Sequence, residues 1–149
     1  MTGLPIKLAD IRRTLWQVLN PMSCSVVIDG ICYFGVVAKG FCTDLTSAPR
    51  ATRIFFALWQ LINKPPIFHD WFYATHRLPR IIADRFFFRL MLDEGYGWRA
   101  YLQYFGVRFG GWYGYYFTSP AKMKKRTPKL FEEHFKGKEK QFCGIMYYN

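Results

Sequence analysis

The chain has 149 residues, of which 51% are hydrophobic and 20% aromatic. This length suffices for one domain with its own core, and so apolar a composition excludes an intrinsically disordered protein. Lys and Arg outnumber Asp and Glu by 21 to 10, and the resulting net charge of +11 favours anionic partners such as nucleic acid, an anionic membrane surface or an acidic protein.

The N-terminal part of the chain has the pattern of antiparallel strands. Residues 15–43 are rich in Val, Ile, Tyr, Phe and Cys, and the dipeptide Asp29-Gly30 within them is favoured in two-residue hairpin turns. The four cysteines show no CxxC spacing and are predicted to be reduced, as in the cytoplasm. The first residues lack the apolar run of a signal peptide, so no secretion signal is predicted.

Helices are predicted to follow the strands. Residues 40–50 (GFCTDLTSAPR) have the composition of a loop. The prolines then divide the rest into helix candidates over 50–63, about 67–76, Pro79 to near Gly95, and about 98–117. The predicted fold is therefore α+β, with N-terminal antiparallel β hairpins followed by a helical bundle.

The composition changes again towards the C-terminus. The most apolar stretch, 100–117, is interrupted by Gln103 and Arg108 and falls short of the roughly 20 continuous apolar residues that cross a bilayer. Beyond it the chain carries the basic run KMKKR and an apolar, aromatic end. We therefore divide the chain into one α+β domain, 1–120, and a basic, aromatic arm, 121–149. The arm is predicted to contact other subunits of a larger assembly, and nonspecific contact with nucleic acid stays open.

Two neighbouring helices place a histidine and an aspartate within reach of each other. The loop that joins them is short and forces antiparallel packing. His69 lies about eight residues before its centre and Asp84 about six or seven after it, which gives an axial offset of roughly 3 Å. A carboxylate bound to one imidazole nitrogen fixes the tautomer and leaves the other nitrogen to accept a proton from water. The pair predicts a general base, although a buried structural His-Asp pair has the same spacing.

Other polar residues near this pair suggest a cation site. Tyr73 shares the helix face of His69, whereas Asp70 points about 100° away. Asp70 and loop groups such as Asp44 are candidate oxygen ligands for a hard cation, which would polarise a carbonyl oxygen. Zinc is disfavoured because His69, His76 and the cysteines show no recognised ligand spacing. An HD-type phosphohydrolase would need a histidine before His69, and the chain has none.

Four motifs in order resemble those of a known family. GFCTDLTSAPR, HDWFY, ADRFFFRLM and YFGVRFGG, from about Lys39 to Gly110, are similar to an uncharacterised family of phage and bacterial proteins marked by GFxTDLxSxPR, HDxxY and ADxxF. The order and combination of the motifs make the resemblance specific. Membership of this family implies no established activity.

The helical motifs also resemble a second, catalytic family. HDxxY followed by ADxxF is similar to the catalytic helices of secreted, bacterial and parvoviral phospholipases A2. The resemblance implies that His69 is the general base for water and that Asp84 orients it, with Tyr73 hydrogen-bonded beside them. It also implies calcium held by Asp70, with Asp44 in the calcium loop. The chain departs from that family in lacking its disulfides and a clear glycine-rich loop.

Two functions are consistent with these features. The favoured hypothesis is a phage virion component of tail or baseplate type, made in the host cytoplasm, whose aromatic faces and basic arm contact other virion proteins. The alternative is a calcium-dependent ester hydrolase of phospholipase A2 type, drawn by its positive charge to an anionic membrane surface. Both hold together if a virion protein carries the enzyme site.

Overall fold

The computed structural model of the protein describes residues 8–12, 15–43, 64–117 and 145–147. These residues form two three-stranded antiparallel sheets and three helices. The strands are β1 (Leu8–Arg12), β2 (Leu15–Val18), β3 (Met22–Ile28), β4 (Ile31–Val37), β5 (Cys42–Thr43) and β6 (Ile145–Tyr147). The helices are α1 (Lys64–Thr75), α2 (Arg80–Asp93) and α3 (Trp98–Phe117). The predicted α+β class, with antiparallel strands before helices, is confirmed.

The β3-β4 hairpin turns at the predicted dipeptide. Ile28 pairs with Ile31, so Asp29 and Gly30 are the two loop residues. Their φ angles are 52° and 78°, and positive φ at both positions gives a turn whose twist matches the paired strands. One sheet has the strand order β1-β2-β5 and the other β3-β4-β6. Strand β6, which lies in the predicted C-terminal arm, pairs with β4 of its own chain.

Helices α1 and α2 lie close to their predicted positions because prolines mark their starts. Helix α1 begins at Lys64, slightly before the predicted start. Pro65 and Pro66 fit within its first turn, where a helix needs no backbone N–H donor. Helix α2 begins directly after Pro79, and α3 has the predicted span. The helix predicted over 50–63 lies outside the described residues. Over the ranges that the structure describes, no helix is both long and apolar enough to span a membrane.

The main core lies between strands β3 and β4 on one side and helices α1 and α2 on the other. Side chains alternate across a strand, so every second residue of these strands points inward. The inward side chains meet phenylalanine rings from both helices. Central members of this core are Val26, Ile28, Val37, Phe68, Phe72 and Phe86. This packing fixes α1 and α2 on the sheet and so positions the residues that they carry.

Gly35 on β4 has no side chain, and this leaves space for the phenylalanine rings of the core. A Cβ atom on Gly35 would lie 2.9 Å from Phe72 Cζ and 3.1 Å from ring atoms of Phe68 and Phe86. All three phenylalanines are almost completely buried, so none of the rings can move into solvent. The packing of these three rings therefore requires a glycine at position 35.

Replacing Gly35 with alanine is expected to lower the free energy of unfolding by about 1–3 kcal/mol, because the added methyl group overpacks three buried rings. Urea unfolding of wild type and Gly35→Ala measures the difference. Ser25→Ala, at an exposed position of β3, is the control and should change the free energy by no more than about 0.5 kcal/mol. A Gly35→Ala variant as stable as wild type would contradict this packing.

Candidate functional site

The turn between α1 and α2 is anchored to α3. His76, directly after α1, has a φ of 51°, and its ring stacks on Tyr115 with 4.4 Å between centroids. His76 Nε2 donates to the Tyr115 carbonyl oxygen at 2.8 Å, and the Tyr115 hydroxyl donates to the Leu78 carbonyl oxygen at 3.1 Å. A connection this short makes α1 and α2 antiparallel neighbours. This short connection sets the register in which the side chains of α1 and α2 meet.

Asp84 of α2 is the centre of a buried hydrogen-bond cluster. Its Oδ1 atom accepts from His69 Nε2 at 3.1 Å and from the Tyr73 hydroxyl at 2.5 Å. Its Oδ2 atom accepts from Arg108 Nη1 at 2.7 Å and lies 3.7 Å from Arg80 Nε. The Asp84 side chain is completely buried. These five residues, which we call the Asp84 cluster, come from all three helices, and they bring together the predicted residues His69, Tyr73 and Asp84.

The charge of Asp84 fixes the tautomer of His69. Burial alone would raise the pKa of this carboxyl group, but the hydrogen bonds that it accepts, from His69 first, outweigh burial and hold its pKa below the ordinary value. An ionised carboxylate only accepts hydrogen bonds, so His69 Nε2 carries the proton that it donates. In the neutral ring the other nitrogen, Nδ1, is then an acceptor. This is the arrangement that a histidine general base requires.

The imidazole of His69 is enclosed by aromatic rings. Its centroid lies 4.0 Å from that of Tyr73 and 4.9 Å from that of Phe87. The residue is 8% exposed, so solvent reaches only a small part of it. In such surroundings the interaction between an imidazole and a carboxylate is stronger than in water. The site therefore contains a histidine whose orientation is fixed and whose contact with solvent is limited.

Tyr73 keeps its proton beside the carboxylate. Burial, followed by the hydrogen bond to Asp84 and its charge, raises the pKa of Tyr73 above the usual range for tyrosine. The hydroxyl therefore donates to Asp84, while it accepts from Arg80 Nε at 3.4 Å. Helix α3 approaches this hydroxyl at Gly111, where a Cβ atom would lie 2.7 Å from the Tyr73 oxygen. A side chain at Gly111 would displace the phenol from Asp84.

Of the two predicted calcium ligands, the structure describes Asp70, which is not part of the Asp84 cluster. Asp70 is half-buried and accepts a hydrogen bond from Thr43 Oγ1 of β5. Asp44 follows Thr43 in the chain and lies outside the described residues. Within the part of the chain that the structure describes, no group of three or more His, Cys, Asp or Glu side chains is arranged to hold a metal ion. Calcium binding by Asp70 and Asp44 therefore stays a prediction.

Three contributors to this site were not predicted from the sequence. Arg80 and Arg108 contact Asp84, and Gly111 makes room for Tyr73. Arg108 did carry a signal, because it is the one charged residue in the aromatic stretch 100–117 and a charge on a packed helix needs a partner. Nothing in the sequence indicated a role for Arg80 or Gly111, since an arginine near a helix start and a glycine among other glycines are both common.

Alanine substitutions at two glycines of α3 are expected to act in opposite directions. Gly106→Ala should raise the free energy of unfolding by up to about 1 kcal/mol, because alanine favours a helix and no atom lies within 4 Å of the added Cβ. Gly111→Ala should lower it, because displacing Tyr73 from Asp84 costs about 1.5–3 kcal/mol. Urea unfolding measures both. Equal stabilisation by the two substitutions would contradict the contact at Gly111.

The depressed pKa of Asp84 predicts how stability depends on acid pH. A carboxyl group with a lowered folded-state pKa stabilises the fold above its unfolded pKa of about 3.9, and this stabilisation is lost as the pH falls through the folded value. The difference in free energy of unfolding between wild type and Asp84→Asn should therefore be constant above about pH 5 and shrink below about pH 4. Urea unfolding across this range measures it, with Asp93→Asn as a control for general charge. A difference independent of pH would contradict the lowered pKa.

Comparison with known proteins gives a match over more than half of the chain. Residues 16–107 match a family described as Protein of unknown function (DUF1353). The match contains His69, Tyr73, Arg80 and Asp84 and ends directly before Arg108. No curated protein and no solved structure matches the chain.

Proposed function

This chain belongs to DUF1353, a family of proteins of unknown function, and we propose that its His69-Asp84 pair is the general base of an ester hydrolase site. The supporting observation is the bond from His69 Nε2 to a buried, ionised carboxylate. That bond leaves Nδ1 as the acceptor for a proton of water. A second donor, the Tyr73 hydroxyl, holds the same oxygen of Asp84 and so fixes the carboxylate.

The proposed reaction proceeds in two proton transfers. His69 Nδ1 takes a proton from water while the water oxygen bonds to the ester carbonyl carbon, giving a tetrahedral intermediate. The imidazolium that forms is stabilised by the negative charge of Asp84. As the bond from the carbonyl carbon to the alcohol oxygen breaks, His69 returns the proton to that oxygen. The products are a carboxylic acid and an alcohol, and His69 is neutral again.

Calcium is proposed as the cofactor of this site. The hydrogen bond from Thr43 places the Asp70 carboxylate beside the strand that leads directly into Asp44. Carboxylate oxygens are ligands that suit a hard cation, and the position of Asp70 supports this proposal. Asp70 and Asp44 would hold the ion, which supplies electrostatic polarisation of a carbonyl oxygen when bound. His69 remains the residue that moves the proton.

The test of the hydrolase proposal is an assay of ester cleavage. Purified protein is incubated with phospholipid vesicles and with short-chain soluble esters, in calcium and in chelator, and acid release is measured. We expect acid release to be faster than in buffer without protein. If Asp70 and Asp44 bind calcium, the rate should be lower in chelator than in calcium. No release from any of these esters, with the protein folded, would contradict the hydrolase proposal. Equal rates in calcium and chelator would contradict the calcium site alone.

A second function is favoured by the outer face of α3. Seven large apolar side chains of this helix are exposed, at spacings that put them on one side of it. We call them the α3 aromatic face: Trp98, Tyr101, Leu102, Phe105, Phe109, Trp112 and Tyr116. A contiguous apolar surface of this kind is typical of a protein contact. We therefore also propose that the chain is a phage virion component of tail or baseplate type that docks on other virion proteins.

The virion proposal is tested on purified particles. Mass spectrometry should detect the chain in particles of a phage that encodes it, and Phe109→Ser should reduce its incorporation because Phe109 is 80% exposed on the α3 aromatic face. Ile81→Ser, at an exposed apolar position of α2, is the matched control and should be incorporated normally. Absence of the wild-type chain from particles would contradict the virion proposal.

A further inference from the structure

Arg108 lies where the Asp84 cluster meets solvent. Its Nη1 atom donates to Asp84 Oδ2 at 2.7 Å, while 31% of its side chain is exposed. Among the ion-pair partners of the completely buried Asp84, Arg108 has the most exposed side chain. Phe105 and Trp112 of the α3 aromatic face are three residues before and four after it, so they are its neighbours on the helix. The α3 aromatic face therefore lies next to Arg108 along the helix.

The cluster holds more positive than negative charge. Asp84 faces two guanidinium groups, those of Arg80 and Arg108, and one carboxylate can offset only one of them. Arg80 is engaged on several sides: Nε donates to the Tyr73 hydroxyl and Nη2 donates to the carbonyl oxygens of Val107 and Arg108. It is also the less exposed of the two, at 17%. The excess positive charge is therefore available to a ligand at Arg108.

The guanidinium of Arg108 has donors left for such a ligand. Among the described residues, its side chain makes one hydrogen bond, from Nη1 to Asp84. A guanidinium carries five N–H donors in a planar fork, and such a fork matches the paired oxygens of phosphate. A tetrahedral oxyanion at this fork would lie on the solvent side of the carboxylate that orients His69.

We propose that Arg108 is the anion-binding residue of this site and that it holds a phosphate group of the substrate. The substrate is then an ester that carries a phosphate. This statement about the substrate rests on the proposed hydrolase function. The binding of phosphate at Arg108 does not, because it depends only on the charge and donors of the cluster.

Inorganic phosphate is the first probe. Isothermal titration at low salt should show binding to wild type, and NMR should show that phosphate shifts the His69 ring resonances. Arg108→Gln should weaken binding about tenfold or more, because hydrogen bonds from a charged donor to phosphate are lost. Arg108→Lys keeps the charge beside Asp84 but lacks the fork, so it should fold like wild type and still bind more weakly. Arg99→Gln, at an exposed position of the same helix, should bind like wild type.

Vesicles distinguish a lipid phosphate from a soluble one. Binding to phosphatidylglycerol vesicles that inorganic phosphate competes away and Arg108→Lys weakens would assign a lipid headgroup. Phosphate binding at Arg108 without such vesicle binding would assign a soluble phosphate ester. Phosphate binding that is equal in wild type, Arg108→Lys and Arg108→Gln would overturn the inference, even if esters are hydrolysed. A failed hydrolysis assay with Arg108-dependent phosphate binding would instead contradict only the hydrolase proposal.

Discussion

Replacing Asp84 with asparagine is expected to lower the free energy of unfolding by about 3–5 kcal/mol, because the change removes the one buried negative charge that faces two arginines. The side chain of Asp84 is completely buried, and Arg108 and Arg80 lie on one of its oxygens at 2.7 and 3.7 Å. Asparagine keeps the volume and one acceptor oxygen, but it leaves this positive charge uncompensated. The loss is therefore electrostatic and not one of packing.

Urea unfolding of Asp84→Asn measures this loss, and the chain offers a matched control. Asp29 forms an ion pair with Arg85 on the surface, where the Asp29 side chain is 67% exposed. Exposed pairs contribute less than about 1 kcal/mol, so Asp29→Asn should have a small effect. An Asp84→Asn variant that loses no more stability than Asp29→Asn would show that the Asp84 cluster is not the electrostatic centre of the helices.

Replacing His69 with alanine is expected to lower the rate of ester hydrolysis by about 10²–10⁴-fold, because a positioned general base contributes an effect of this size. His69→Gln should lower the rate of hydrolysis by a similar factor. An amide can occupy the site and donate to Asp84, but it cannot take a proton from water. Circular dichroism and urea unfolding establish that each variant is folded. The measured quantity is the rate of acid release per molecule at neutral pH.

His76 is the control for this prediction. It lies at the end of the same helix, and its ring contacts Tyr115 and not Asp84. His76→Gln should therefore retain the rate of wild type, provided that it is folded. Hydrolysis by a folded His69→Ala variant at the wild-type rate would contradict the role of His69 as the base.

The same carboxylate serves both the stability and the proposed chemistry. Asp84 joins α1, α2 and α3 through its partners and also orients His69. A loss of activity in Asp84→Asn alone would therefore not separate misfolding from catalysis. Substitutions at His69 do separate them, because they leave the Asp84 charge and its two arginines in place.

Much of the fold and part of the site were accessible from the sequence, for identifiable reasons. Pro79 marks the start of α2, and the connection before it is short, so counting outward from the turn placed His69 and Asp84 at nearly the same level. The hairpin followed from Asp29-Gly30, which adopts positive φ at both positions. In each case a local rule sets the geometry over a few residues.

The contributions of α3 could not be predicted in this way. This helix is apolar and aromatic on nearly every side, so its sequence does not indicate which face packs on α1 and α2. The charge of Arg108 indicated that it needs a partner, but its contact with Asp84 and the role of Gly111 followed only from the rotation of α3. Strand β6 was missed for a related reason, because a strand of three residues that pairs with a distant part of the chain leaves no periodic pattern.

The position of the proton on His69 tests the general-base assignment most directly, because it requires no knowledge of the substrate. Long-range ¹H–¹⁵N NMR at neutral pH distinguishes the two neutral tautomers, and the spectrum of His69→Gln identifies the signals. We expect the proton on Nε2, bonded to Asp84, and an unprotonated Nδ1. A proton on Nδ1 would leave Nε2, which faces Asp84, as the acceptor nitrogen and would contradict the assignment.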